Sequence, residues 1–185
     1  MNKTKLVNCF LSGRRKSISK YENQTEELQS KVLQKLIHQA IHTEWGQTHG
    51  FAQVNDYNSF TKTSPISTYE ELKGYIDRMR RGEKDVLWSG KVRWYAKSSG
   101  TTNDKSKFIP VSKECLQDTH YRGGTDAVAL YLGQNPRSRM FDGKALILGG
   151  SHSPNYNLPH SLVGDLSAIL IEKVSPFVNH FRIPS

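Results

Sequence analysis

The sequence predicts an α/β fold. Segments with helical periodicity alternate with short β-type runs along the 185 residues. The helical segments carry capping and stop residues at their ends. A continuous apolar run, residues 144–148, has the composition of a strand buried in a parallel sheet. The length suits one domain.

The elements follow in order. Residues 4–20 read as a first short helix, the core of a basic leading segment, 1–24. A longer helix is expected over 25–45, with Leu28, Val32, Leu36, Ile37 and Ala40 on one face. Asn23 and Glu26 have capping-box spacing, and Gly46 is the expected stop. Residues 56–63 read as a loop or short turn, ended by Pro65. Thr68 and Glu71 form a second capping box. The helix they open runs to about Arg81, buries Leu72, Ile76 and Met79, and stops at Gly82.

Residues 92–96 then read as a strand and 108–111 as a second, so that 92–111 forms a hairpin with a polar loop at its tip. Ser112 caps a helix over about 113–132. Gly123-Gly124 should break it or mark a close approach, since each glycine costs about 1 kcal/mol against alanine in a helix interior. A polar loop, the strand over 144–148, a Gly149-Gly150-Ser151-His152-Ser153 turn and a helix over 164–173 complete the chain.

The loop at the hairpin tip carries the chemistry. It groups Ser98, Ser99, Thr101 and Thr102 around Gly100, with Lys105 and Lys107 just after. Hydroxyls donate to phosphate oxygens, a residue without Cβ lets backbone amides approach an anion, and a lysine neutralises part of its charge. A phosphate is the ligand this composition suits. The spacing is not that of a Walker A loop.

The order of these residues resembles a known family. Ser98-Ser99-Gly100-Thr101-Thr102 followed by Lys107-Phe108-Ile109-Pro110 is similar to the first nucleotide-binding motif of the acyl-acid amido synthetases. These are the plant auxin-responsive promoter proteins and their bacterial relatives, within the acyl-adenylating superfamily of acyl-CoA synthetases and luciferase. Asn103-Asp104 stands where family members often carry a glycine; both residues tolerate a left-handed turn. Residues 43–51 and the pair Pro65-Ile66 before Tyr69-Glu70-Glu71-Leu72 resemble the family more softly, and the likeness runs from about Leu28 to Pro184.

The resemblance implies the N-terminal portion of one adenylating domain: helices around a mixed sheet with a nucleotide-binding hairpin loop. The later motifs and the C-terminal domain have no counterpart before Ser185. It further implies ATP and Mg2+, a carboxylic acid substrate, and an amine or amino acid acceptor. Ser98, Ser99, Thr101 and Thr102 would hold the β- and γ-phosphates, Gly100 would allow close approach, and Lys107 would be the nearby cation, with Lys105 second. No catalytic residue is assigned, and no metal ligand. An incomplete chain of this kind is expected to be inactive alone. An acyl-CoA synthetase-type ligase fragment and a non-catalytic nucleotide-binding or interaction remnant are the alternatives.

Other features exclude other classes. About 39% of residues are apolar when glycine is counted and tyrosine is not, against about 45–50% in soluble domains, which fits a thin core. The net charge is +9, of which residues 1–24, with six Lys/Arg and one acid, hold +5. That arm lacks the interleaved aromatics of a single-strand binder, so neither a nucleic acid nor a membrane partner is expected. No run of 18 apolar residues occurs, and Cys9 and Cys115 lack metal or redox spacing, so the cytosol is the expected compartment. His38 and His42 are four apart, without a third ligand. His160, Ser161 and Asp165 lack a nucleophile elbow. His152 reads either as a substrate-facing residue or as a loop histidine, and Tyr121 and Arg122 can face the pocket from the helix after the loop.

Overall fold

A computed structural model describes residues 3–98 and 106–184. The chain begins with four helices, α1 (Lys3–Phe10), α2 (Ser12–Ile18), α3 (Lys20–Asn23) and α4 (Thr25–Ala40). The leading segment is docked rather than free. Leu11 is buried with Ala129 and Leu132, and Arg14 grips Asp126 through two bonds of 2.5 and 2.7 Å. Asn23 caps nothing: it ends α3, and the N-cap of α4 is Gln24 without a side-chain bond.

α4 ends five residues earlier than periodicity suggests. The Thr43 hydroxyl donates to the Ala40 carbonyl at 2.7 Å and accepts from Gly46 N–H at 3.0 Å, which opens the separate helix α5 (Glu44–Thr48). Gly46 therefore sits inside a helix, where a Cβ would lie 2.0 Å from the Ala40 oxygen. On α4, Ile37 and Ala40 are buried, but Val32 and Leu36 are 57% and 44% exposed. The stretch read as a loop is helix α6 (Tyr57–Thr63), started by an Asp56–Ser59 capping box. The Thr68–Glu71 box is present and opens α7 (Tyr69–Arg80); Gly82 closes it at φ +99°.

The sheet is small and mixed. Strand β1 (Trp94–Lys97) lies between β2 (Phe108–Val111), antiparallel to it, and β4 (Leu162–Gly164), parallel to it. Successive strand side chains point to opposite faces, so β1 serves two cores. Tyr95 joins Ile76, Met79, Val86 and Val163 on the α7 side. Trp94 and Ala96 join Val111, Leu116 and Ile169 on the other, under helix α9 (Leu166–Lys173).

After β2 the chain is helical from Lys113, π-helical over Cys115–Tyr121, and continues as α8 (Arg122–Gln134). Gly123 and Gly124 do not break it, and a Cβ at either would meet nothing within 4 Å. The expected buried strand over 144–148 is also corrected. Only β3 (Ala145–Leu146) forms, paired with β5 (Arg182–Ile183), and Leu146 and Leu148 are 70% and 84% exposed. No described element covers their face. Helix α10 (Pro176–Asn179) lies between α9 and β5.

Candidate functional site

The hairpin expected from sequence is present, and its neck is closed by the residues that flank the loop. Beyond the last ladder pair, Lys97 with Phe108, the Ser98 N–H donates to the Lys107 carbonyl at 3.0 Å. The Lys107 N–H donates to the Ser98 hydroxyl at 3.3 Å. Ser98 thus braces the neck and keeps its own hydroxyl proton for another acceptor. Ser99, Gly100, Thr101, Thr102 and Lys105 lie outside the described residues.

Two ammonium groups flank this neck. Lys107 Nζ stands 5.4 Å from the centroid of Tyr69. Tyr69 is the first residue of α7, and its hydroxyl accepts from the Phe108 N–H at 2.9 Å. The Thr68–Glu71 box sets where α7 starts, and so where that ring sits. Glu71 is held below the usual carboxylate range, first by the Thr68 N–H and then by the Thr68 hydroxyl. Lys97 Nζ stands 4.4 Å from the centroid of Tyr156. A cation over an aromatic face is held electrostatically yet keeps all three N–H donors for a ligand.

A third cation lies beneath. Arg80 is 9% exposed, with its guanidinium carbon 3.9 Å from the Phe108 centroid, and it donates to the Tyr156 carbonyl at 2.7 Å. Among the described residues, none of Lys97, Lys107 and Arg80 forms a salt bridge. Among the described residues the neck therefore carries three cations without a salt bridge, which suits an anion nearby.

Lys97, Tyr69, Tyr156 and Arg80 were not singled out from the sequence. Lys97 directly precedes Ser98, which was a usable signal. Tyr156 and Arg80 arrive from distant segments and carried none.

Other sequence candidates are not brought to this site. His152 packs on Trp94, centroids 5.5 Å apart, and its Nε2 is 3.2 Å from Glu172. Tyr121 donates to the Leu170 carbonyl at 3.0 Å, at the end of β1 remote from the loop. Arg122 pairs with Asp118 at 3.4 Å in a cleft beside α4. Ser161 is buried, His160 packs under Gly82, and Asp165 accepts from the Ser151 N–H at 2.9 Å, so these three form no triad. Among the described residues no group of three His, Cys, Asp or Glu side chains could hold a metal, and His38 and His42 stay exposed. No described helix is long and apolar enough to cross a membrane.

The family model for the GH3 family N-terminal domain matches residues 14–178. This chain belongs to the GH3 family. It is 32% identical over 108 residues to jasmonoyl–L-amino acid synthetase JAR6 of Nicotiana attenuata, covering 56% of this chain and 19% of the relative. It is 32% identical over 93 residues to indole-3-acetic acid-amido synthetase GH3.15 of Arabidopsis thaliana, covering 50% and 16%. The solved GH3.15 acyl acid amido synthetase superposes with a TM-score of 0.70 at 22% identity, over 90% of this chain and 29% of that one. That likeness bears out the α/β fold, helices around a mixed sheet, expected from the sequence. The chain spans under a fifth of the length of these curated GH3 relatives.

Proposed function

We propose that this chain carries the nucleotide-phosphate clamp of an ATP-dependent acyl-acid amido synthetase. The observation that supports the reading is the hairpin. Strands β1 and β2 pair on either side of the segment whose sequence is Ser-Ser-Gly-Thr-Thr, and among the described residues Lys97 and Lys107 at the neck form no ion pair. The relatives are named for joining an acid to an amino acid or for acting on acyl acids.

In the proposed reaction a carboxylate oxygen attacks the α-phosphorus of ATP. The bond to the bridging oxygen breaks, pyrophosphate leaves, and an acyl-adenylate remains. An amine then attacks the acyl carbon and displaces AMP, losing a proton as the amide forms. The acid and the amine or amino acid are small molecules, and the compartment proposed is the cytosol.

This chain's part is positioning and charge stabilisation. The hydroxyls of Ser98, Ser99, Thr101 and Thr102 would donate to the β- and γ-phosphates, with Gly100 permitting backbone approach. Lys107 and Lys97 would oppose the charge that develops on the leaving pyrophosphate. A magnesium ion accompanying ATP would neutralise phosphate charge; among the described residues no group of three His, Cys, Asp or Glu side chains could hold it.

Calorimetric titration with ATP and magnesium tests the clamp. Binding is expected, weakened at least tenfold by Thr101→Ala and by Lys107→Ala. Unchanged affinity in both variants would leave the remnant reading. A pyrophosphate-release assay over a carboxylate panel should show no turnover by these 185 residues, because the clamp is a small share of the relatives' length. ATP-dependent turnover would refute that. Should turnover appear, release of AMP with a thiol acceptor and not with amines would favour the acyl-CoA synthetase reading.

A further inference from the structure

We propose a second anion site, for a free condensed phosphate such as pyrophosphate, at the end of β1 remote from the nucleotide loop. A cavity of about 310 Å³ opens there between the start of β1, the end of β2, the π-helical turn and the last turn of α9. Its floor is apolar: Trp94, Val111 and Leu116 are all less than a tenth exposed. Its rim is cationic. Lys91 and Arg93 enter from the segment before β1, Lys113 from the segment after β2, and Lys173 from the end of α9.

Among the described residues no carboxylate lines this cavity. Two acids interact with these cations. Glu172 lies 2.7 Å from Lys173 and is shared with His152. Glu114 accepts from the Trp88 indole at 3.1 Å and feels Lys113. Lys91 and Arg93 form no ion pair among the described residues. Lys173 is offset by Glu172, but Lys91, Arg93 and Lys113 leave the rim net positive, and a multiply charged anion relieves their mutual repulsion.

The chain supplies further donors. Ser112 and Gln117 line the recess, and the chain is helical from Lys113, so the positive end of the helix dipole adds to the rim. The ring of Trp94 is contacted by His152, with centroids 5.5 Å apart, and by the Lys173 ammonium at 5.2 Å. The charge count favours a polyanion over a single carboxylate. A recess of this size between four elements favours a free ligand over an extended lipid surface.

The test is calorimetric titration of the protein with pyrophosphate at low and at moderate ionic strength. Binding is expected, weakening as salt rises. The exposed double change Lys91→Ala/Arg93→Ala should weaken it at least tenfold, with the circular dichroism and melting temperature of the parent. Lys113→Ala should weaken it by several-fold. Because the nucleotide loop is itself expected to hold phosphates, the titration is repeated in a Thr101→Ala/Lys107→Ala background, where binding at the loop is weakened and the binding that depends on Lys91 and Arg93 should persist. Absence of binding, or equal binding by the double variant, would overturn the proposal. Loss of pyrophosphate binding in the loop variant alone would assign the ligand to the nucleotide site instead. Sedimentation with phosphoinositide-containing vesicles, without pyrophosphate binding, would replace the free anion by a lipid headgroup.

Discussion

Strands β1 and β3 have similarly apolar sequences and opposite fates. In β1, Trp94, Tyr95 and Ala96 are all buried, because α7 covers one face and α9 with the π-helical turn covers the other. In β3 and the residues after it, Leu146 and Leu148 face outward with nothing described above them. Apolarity states that a strand can be buried; only a partner element buries it. Burial of Val, Leu or Phe side chains stabilises by about 1.5–3 kcal/mol each. The β1 region therefore holds most of the cohesion of this chain, and the β3–β5 pair holds little.

The largest effects should fall on β1 and its lids. Tyr95→Ala and Ile169→Ala empty fully buried sites on opposite faces of the sheet, and each is expected to cost about 2–5 kcal/mol in urea unfolding. Equal tolerance at both sites would break the comparison.

Next comes alkaline pH. Burial pushes the Tyr95 phenol from 10.0 up to about 12. Between those values the unfolded chain loses the proton and the folded chain keeps it. Stability is thus intact below pH 10 and falls as pH rises toward 12, by ~2–3 kcal/mol from this group. Tyr95→Phe should show a correspondingly shallower loss between pH 9 and 12 when urea midpoints are compared at each pH.

A smaller effect is expected where a cap, rather than a core, is removed. Thr43 is fully buried and bonds both Ala40 and Gly46. Thr43→Ala should cost ~1–2 kcal/mol, with Thr43→Ser recovering most of it.

The smallest effect should be at the exposed strand. Leu148→Ser should change unfolding stability by less than about 0.5 kcal/mol. It should also reduce self-association measured by light scattering, since it removes exposed apolar surface beside a strand edge. A loss comparable to that at Ile169 would show that this strand is packed in solution.

Much of the hairpin and its helix was legible in the chain. Thr68-x-x-Glu71 located the start of α7, Gly82 its end, and the runs around 92–96 and 108–111 the two strands of the hairpin. These signals work because capping and strand pairing across a short loop are local. The composition of the loop was equally legible, since hydroxyls around a glycine with a following lysine are adjacent in sequence.

The rest depended on distance. Asn23 and Glu26 had the right spacing, but Asn23 is the last residue of α3, so Gln24 takes the N-cap place of α4. Val32 and Leu36 had the right period, yet α4 meets its neighbours through Ile37 and Ala40. The sequence by itself determined the start and end of α7, the two hairpin strands and the composition of the phosphate-suited loop, because each rests on residues within a few positions of one another. Only the tertiary structure decided that Tyr156 and Arg80 would join Lys97 and Lys107 at the neck, that four cations would meet around Trp94, and that residues 144–148 would stay uncovered. Those outcomes depend on which elements pack together, and packing is set by shape and area across the whole chain.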